Sequence, residues 1–343
     1  MTDYRSPLLT RPGAVPADAL DAGVAWHYGD PLREQRALAE EVGWVDRSHR
    51  GVLRVGGDDR RTWLHSLTTQ HVSELPDQAG TEALVLDHQG HVEHHAQIAE
   101  VDDAMWLDVE PGTSEALLGY LDSMRFWSKV EVSDAAGQWA VISLAGPETA
   151  RVVAALGVPE PGPQRVAPLP GGGWVRRMSW PGADAADLLI PREHLGETAE
   201  ALTDAGARPA GTWAFEALRV EARRPRLGLE TDHKTIPHEV GWIGIAVHLE
   251  KGCYRGQETV ARVHNLGRPP RRLVMLHLDG AGERLPSPGA ELTVGDRAVG
   301  FVGTAVRHYE LGSIALAVVK RNVAESAEPP TLLVDGIAAA IDV

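Results

Sequence analysis

Residues 51–67 and 139–156 follow one design, and that repeat constrains the fold more than any other feature of the chain. In the first copy a strand, GVLRV (51–55), runs through Gly57 into a helix that Asp58 can cap. In the second, WAVISL (139–144) runs through Gly146 into a helix over 148–156. At an offset of 89, Val55 falls on Leu144, Gly57 on Gly146, Asp59 on Glu148, Leu64 on Val153 and Leu67 on Leu156. A strand, a glycine free to turn, an acid at the positive end of a helix and a matching apolar face recur together. Such self-similarity predicts two α+β units of related design.

The remaining segments fit around those units. Asp30 can cap and Pro31 can start a helix over 31–42, with Gly43 to end it. ALVLD (83–87) and HVEHHAQI (91–98) flank His88-Gln89-Gly90, a hairpin signal. AMWLDV (104–109) predicts another strand, and 113–124 a helix. The stretch 157–173 is rich in Pro and Gly and reads as an exposed loop, and a helix near 212–224 closes the second unit. From 271 onward short apolar runs alternate with turn signals at Gly295-Asp296 and Asp335-Gly336, which predicts a small antiparallel β-barrel. The expected division is 1–137, approximate and open to being discontinuous, then 138–266 and 267–343.

Charge and cysteine usage narrow the function. No apolar run approaches the roughly 18 residues of a membrane span, and MTDYRSPLLTRPGAV lacks the basic and apolar regions of a signal peptide. Cys253 is the single cysteine, so no internal disulfide forms and a reducing, cytoplasmic setting is expected. Forty-eight acids against 33 Lys and Arg give a net charge of −15, which argues against extended nucleic-acid binding. The one basic patch runs from 251 to 272.

Within that patch lies the sharpest candidate for chemistry, Lys251-Gly252-Cys253-Tyr254-Arg255-Gly256-Gln257-Glu258. Two glycines let the backbone turn on both sides of the thiol, and QETVAR can begin a helix. A thiol before a helix N-terminus, flanked by Lys251 and Arg255, favours the thiolate. The competing reading is an inert buried cysteine. His91, His94 and His95 invite a metal, but on a strand 91 and 95 share one face and 94 the other, so no metal site is expected.

KGCYRGQE resembles the signature of the YgfZ family, a branch of the glycine-cleavage T-protein superfamily. RVEARRPRLGLETDHKTIPHEVGW (219–242), WLHSLTTQHV (63–72) and LVLDHQGHVEHH (84–95) resemble further segments of the superfamily, so the likeness covers most of the chain. It implies an α+β protein: two related domains around a central folate-binding hole, plus the small barrel. It also implies that Glu221 accepts the paired donors of a pterin, and that cations hold the anionic glutamyl tail. Candidates for the tail are Lys251, Arg255 and Arg262, with Arg268, Arg271 and Arg272 behind them. Tyr254, His94 and His95 are further folate-binding candidates, and Trp127 offers another flat ring.

The family's fit has one pointed exception. Where the T-protein usually carries a pair of aspartates, this chain has His94 and His95, and where it has Thr-Asn-Asp this chain has Thr69-Gln70-His71. Imidazole does not stand in for a carboxylate. The resemblance therefore implies a tetrahydrofolate-binding accessory protein that serves iron–sulfur clients, tRNA-modifying enzymes among them, through Cys253. The alternative is a folate-dependent aminomethyl or methyl transferase, or a demethylase. A lone cysteine cannot supply the roughly four thiolates of a cluster, so no resident metal is expected.

Overall fold

A computed structural model describes residues 4–178, 180–182, 184–280, 284–328 and 330–342. An N-terminal arm carries β1 (Val15–Pro16), β2 (Ala25–His27), helix α1 (Pro31–Glu40) and β3 (Gly43–Asp46). The first unit follows as β4 (Gly51–Gly56), α2 (Arg60–Leu67), β5 (Ala79–Leu86), β6 (Val92–Val101), β7 (Ala104–Val109), α3 (Ser114–Ser123) and β8 (Glu131–Asp134). The second runs β9 (Trp139–Ala145), α4 (Thr149–Ala155), β10 (Val166–Pro168), β11 (Trp174–Arg176), β12 (Ala185–Pro191), α5 (Leu195–Asp204) and β13 (Arg208–Ala210). Helices α6 (Thr212–Glu221) and α7 (Gln257–Leu266) bracket an irregular stretch. Then come β14 (Arg271–Leu278), β15 (Glu291–Val294), β16 (Arg297–His308), β17 (Gly312–Lys320), α8 (Arg321–Ala324), β18 (Leu332–Val334) and β19 (Ile337–Ile341).

The first four strands of the two sheets share one order. The first sheet is β5-β6-β7-β4-β8 and the second β10-β11-β12-β9-β3-β13. The glycines aligned by the repeat do the same work in each. Gly57 (φ +103°) and Gly146 (φ +126°) have backbone conformations that side chains rarely adopt, and a Cβ would stand 2.1 Å from Lys129 O and 2.4 Å from Glu41 O respectively. Asp59 N then donates to Lys129 O (3.4 Å) and Glu148 N to Glu41 O (3.1 Å), as each helix begins. Asp59, not Asp58, is the N-cap of α2, and its carboxylate accepts from Lys129 N.

The layouts part at the fifth place. The place beside β4 belongs to β8, but the place beside β9 belongs to β3, with β13 added parallel at the edge. The boundary near 137 falls between β8 and β9, in the gap between the sheets, but 1–137 is not one unit: 43–46 pairs in the second sheet, and the first sheet is built from 51–134. The reason is apolar complementarity, since Val42 and Trp44 pack with Ile142, Leu144, Val152 and Val153 in the second core. Gly43 opens this strand; α1 stops at Glu40, and Asp30 accepts from Arg33 N (3.0 Å) at its start, as a cap should. The Pro- and Gly-rich stretch is not all loop, because 166–168 pair with β11 as an edge strand, a position that tolerates Pro168.

The sheets face each other through Trp106, Trp139 and Trp174, whose ring centroids lie 4.8 to 5.1 Å apart. The C-terminal strands close into a six-stranded antiparallel barrel, ordered β14-β17-β16-β15-β18-β19, over a core that includes Leu276, Leu292, Val302 and Leu332. Among the described residues no helix is long and apolar enough to cross a membrane.

Candidate functional site

Charged side chains are buried together where the arm, both sheets, α6 and the barrel meet. Arg226 bonds to Asp21 (2.9 and 3.1 Å), Glu110 (2.9 Å) and Glu216 (2.9 Å). Arg219 bonds to Glu216 (2.7 Å), Glu230 (3.0 Å) and Thr304 of the barrel (2.5 Å). Arg50 joins Asp108 (3.0 Å) to Glu110 (2.7 Å), and Arg176 joins Asp108 (2.6 Å) to Asp187 (2.8 Å). Burial alone would push these carboxyls up. The arginines reverse it, holding Asp21 and Glu110 well below the usual carboxylate range. The network fixes α6, and so fixes Glu221 at that helix's end.

Glu221 opens onto a cleft of about 380 Å³ walled by Leu38, Gly146, Pro181, Leu218 and Tyr309, with Asp184 on its rim. That volume is in the range of small-molecule sites. Its lining comes from α1, the second unit, α6 and the barrel, with nothing from 51–134. The Glu221 carboxylate is about half exposed, 45%, and lies 3.3 Å from His308 Nε2.

His94 and His95 lie elsewhere and apart. His95 is buried, its Nε2 3.0 Å from Glu82 and its ring stacked on Trp242 at 5.0 Å. Burial would raise the Glu82 carboxyl, but His95, with Arg224 and Arg176, holds it low. His94 is on the opposite face, beside Tyr120 (6.4 Å) and the first unit's core, and burial lowers its pKa. His91 pairs with Asp87 (2.8 Å) in the hairpin turn. Among the described residues no group of three His, Cys, Asp or Glu is arranged to hold a metal.

KGCYRGQE lies across the first unit. The Lys251 ammonium donates to the carbonyls of His65 and Thr68 at the C-terminal end of α2, where a cation is favoured, and burial lowers its pKa to about 8. Arg255 donates to Leu86 O and to Glu93, with its guanidinium 5.0 Å from the Tyr120 ring. Gly256 (φ +82°) seats the loop on the hairpin turn, since a Cβ there would meet Asp87 O at 2.6 Å. Cys253 is left exposed between these anchors. Both cations expected to flank the thiol or a ligand's anionic tail are thus committed to the first unit. Tyr254 is half-buried, with the Lys251 ammonium 5.1 Å from its ring centroid.

The other cations divide. Arg271 forks onto Asp232 (2.6 Å) and Glu239 (2.8 Å) and is structural; Arg272 faces Glu325 at 3.7 Å on the surface. Arg262 and Arg268 are exposed. Trp127 is 92% exposed and stacks on Phe126. The buried network and His308 went unread in the sequence, because Glu216/Arg219 and Arg226/Glu230 look like surface ion pairs at helical spacing.

Comparison with known proteins places the chain. The model of the GCVT N-terminal domain matches residues 9–251. An aminomethyltransferase of Rubrobacter xylanophilus is 30% identical over 328 residues, covering 92% of this chain and 87% of the relative. A putative chloroplastic transferase of Arabidopsis thaliana is 30% identical over 314 residues, covering 87% and 68%. The crystal structure of the glycine cleavage system aminomethyltransferase T of Bartonella henselae superposes with a TM-score of 0.85 at 20% identity, covering 98% of this chain and 95% of that one. Two α+β units, a closed barrel and a family match across most of both units agree: the chain belongs to the GCVT family, within the glycine-cleavage T-protein superfamily.

Proposed function

We propose that this protein binds a reduced folate at Glu221 and uses Cys253 to support iron–sulfur client enzymes, tRNA-modifying ones among them, in the cytoplasm. The observation that carries the reading is the placement of Cys253. The thiol is exposed, which disfavours an inert core cysteine, and its loop is pinned by Lys251 on one side and Arg255 on the other. A pinned, exposed thiol is presented to a partner at little ordering cost. Transient ligation or thiol exchange suits a single cysteine better than stable cluster binding.

The cleft supports the folate half. A half-exposed carboxylate between apolar walls and the Tyr309 ring suits a flat heterocycle with adjacent donors, since each carboxylate oxygen accepts one. Tetrahydrofolate, when bound, supplies one-carbon carriage; the chain's part is to bind and orient its ring. With Lys251 and Arg255 committed elsewhere, Arg262 and Arg268 are the cations left for an anionic tail. A second reading, a folate-dependent transferase, is favoured by the 30% identity to an aminomethyltransferase.

Calorimetry with tetrahydrofolate tests the cleft: Glu221→Ala is expected to lose about 1.5–3 kcal/mol of binding free energy, as for a hydrogen bond to a charged group. Unchanged affinity sinks the assignment. For the thiol, a strain lacking the gene is assayed across a panel of iron–sulfur enzymes. Rescue by wild type and failure by Cys253→Ser is the expected outcome; full rescue by Cys253→Ser removes the cysteine from the function.

A further inference from the structure

The end of barrel strand β16 reaches the cleft. His308 has a fully buried ring, 0% exposed. Its Nδ1 accepts from two backbone amides of the following turn, Glu310 N (3.2 Å) and Leu311 N (3.1 Å). A nitrogen that accepts carries no proton, so in the neutral ring the proton sits on Nε2. That Nε2 is 3.3 Å from Glu221 Oε2, out of line for a formed hydrogen bond, and among the described residues no other partner satisfies it. A buried donor left unpaired costs about 1–3 kcal/mol, and natural structures rarely keep one.

The backbone around this ring is clamped as well. Gln35 of α1 is fully buried. Its amide donates to Arg307 O (2.8 Å) and accepts from Tyr309 N (2.9 Å), holding the chain on both sides of His308. The ring therefore has little freedom, whereas the half-exposed Glu221 side chain can rotate.

We infer that His308 is a positioning residue: the barrel holds its Nε2–H where the Glu221 carboxylate is wanted, and Glu221 swings into alignment as its oxygens receive a ligand's donors. A carboxylate has about four acceptor positions, so one bond from His308 leaves room for two more. The barrel thus completes the cleft, and ligand affinity depends on its docking through Gln35. The inference rests on the folate reading only for the identity of the ligand.

The probe is 5-formyltetrahydrofolate, a stable reduced folate, titrated calorimetrically into the full chain. His308→Ala is expected to weaken binding roughly tenfold. His308→Gln, which keeps a donor, is expected to recover most of that; should the alanine variant fail to fold, the imidazole spectra described below decide the matter. In a Glu221→Gln background, where little is left to position, His308→Ala is expected to change affinity less than about twofold. Wild-type affinity in both His308 variants, or an equal loss in both backgrounds, overturns the proposal. Imidazole ¹⁵N spectra of the ligand-free chain read the pair independently. An Nε2–H tautomer whose signal shifts in Glu221→Gln supports it even if no reduced folate binds, a result that would sink only the folate reading. An Nδ1–H tautomer, or indifference to Glu221→Gln, overturns it.

Discussion

Replacing Arg226 by Met is expected to lower the unfolding free energy by about 3–5 kcal/mol at neutral pH. The guanidinium holds Asp21, Glu110 and Glu216, all buried, at 2.9 to 3.1 Å. Methionine fills the volume but leaves three carboxylates short of a cation. Glu110 keeps Arg50 and Glu216 keeps Arg219, so Asp21, left with His49, is the most exposed to the loss. The pH dependence follows from the carboxyls' direction of shift. In the native chain Asp21 and Glu110 titrate well below their unfolded values, so their contribution is present above about pH 4 and lost as pH falls further. Without Arg226 burial is less opposed, their pKa values rise, and protonation at mildly acidic pH relieves part of the damage. Urea unfolding at pH 7 and pH 5 should therefore give the larger difference between variant and native chain at pH 7. A difference under about 1 kcal/mol at pH 7, or one that grows on acidification, contradicts the account.

The same network marks where sequence reading stops. Local signals carried well: the Asp30 cap, the hairpin around Gly90, and the Gly57 and Gly146 turns lie where neighbouring residues specify them. The barrel was legible too, because alternation and turn residues are local facts. What failed was long-range. Nothing in GWVD says that it will pair in the second sheet ahead of the strand that follows α5. Arg226 meets Asp21 across 205 positions, and a buried arginine has the same letter as a solvated one. Lys251 and Arg255 show the limit for the site. Their spacing around Cys253 was plain, but whether they face the thiol or anchor the loop depends on α2 and the hairpin, distant in sequence.

Mixed with an aminomethylated lipoyl carrier and tetrahydrofolate, the protein is expected to form methylenetetrahydrofolate more slowly than about 0.01 s⁻¹. That is at least about 10²-fold below the 1–10³ s⁻¹ usual for enzymes, and removal of a positioned proton-transfer group costs about 10²–10⁴. Neither histidine at the T-protein's aspartate positions is disposed to replace a carboxylate. His95 is held between Glu82 and Trp242, and a ring fixed in a buried stack cannot swing to a substrate. His94 faces its own unit's core, and burial keeps it neutral near pH 7, without the negative charge an aspartate would bring. The Glu221 cleft draws no residue from 51–134, so neither histidine lines it. Methylenetetrahydrofolate formed at about 1 s⁻¹ or faster would sink this expectation and favour the transferase reading. Tight tetrahydrofolate binding without turnover would leave Cys253 as the group whose chemistry remains to be measured.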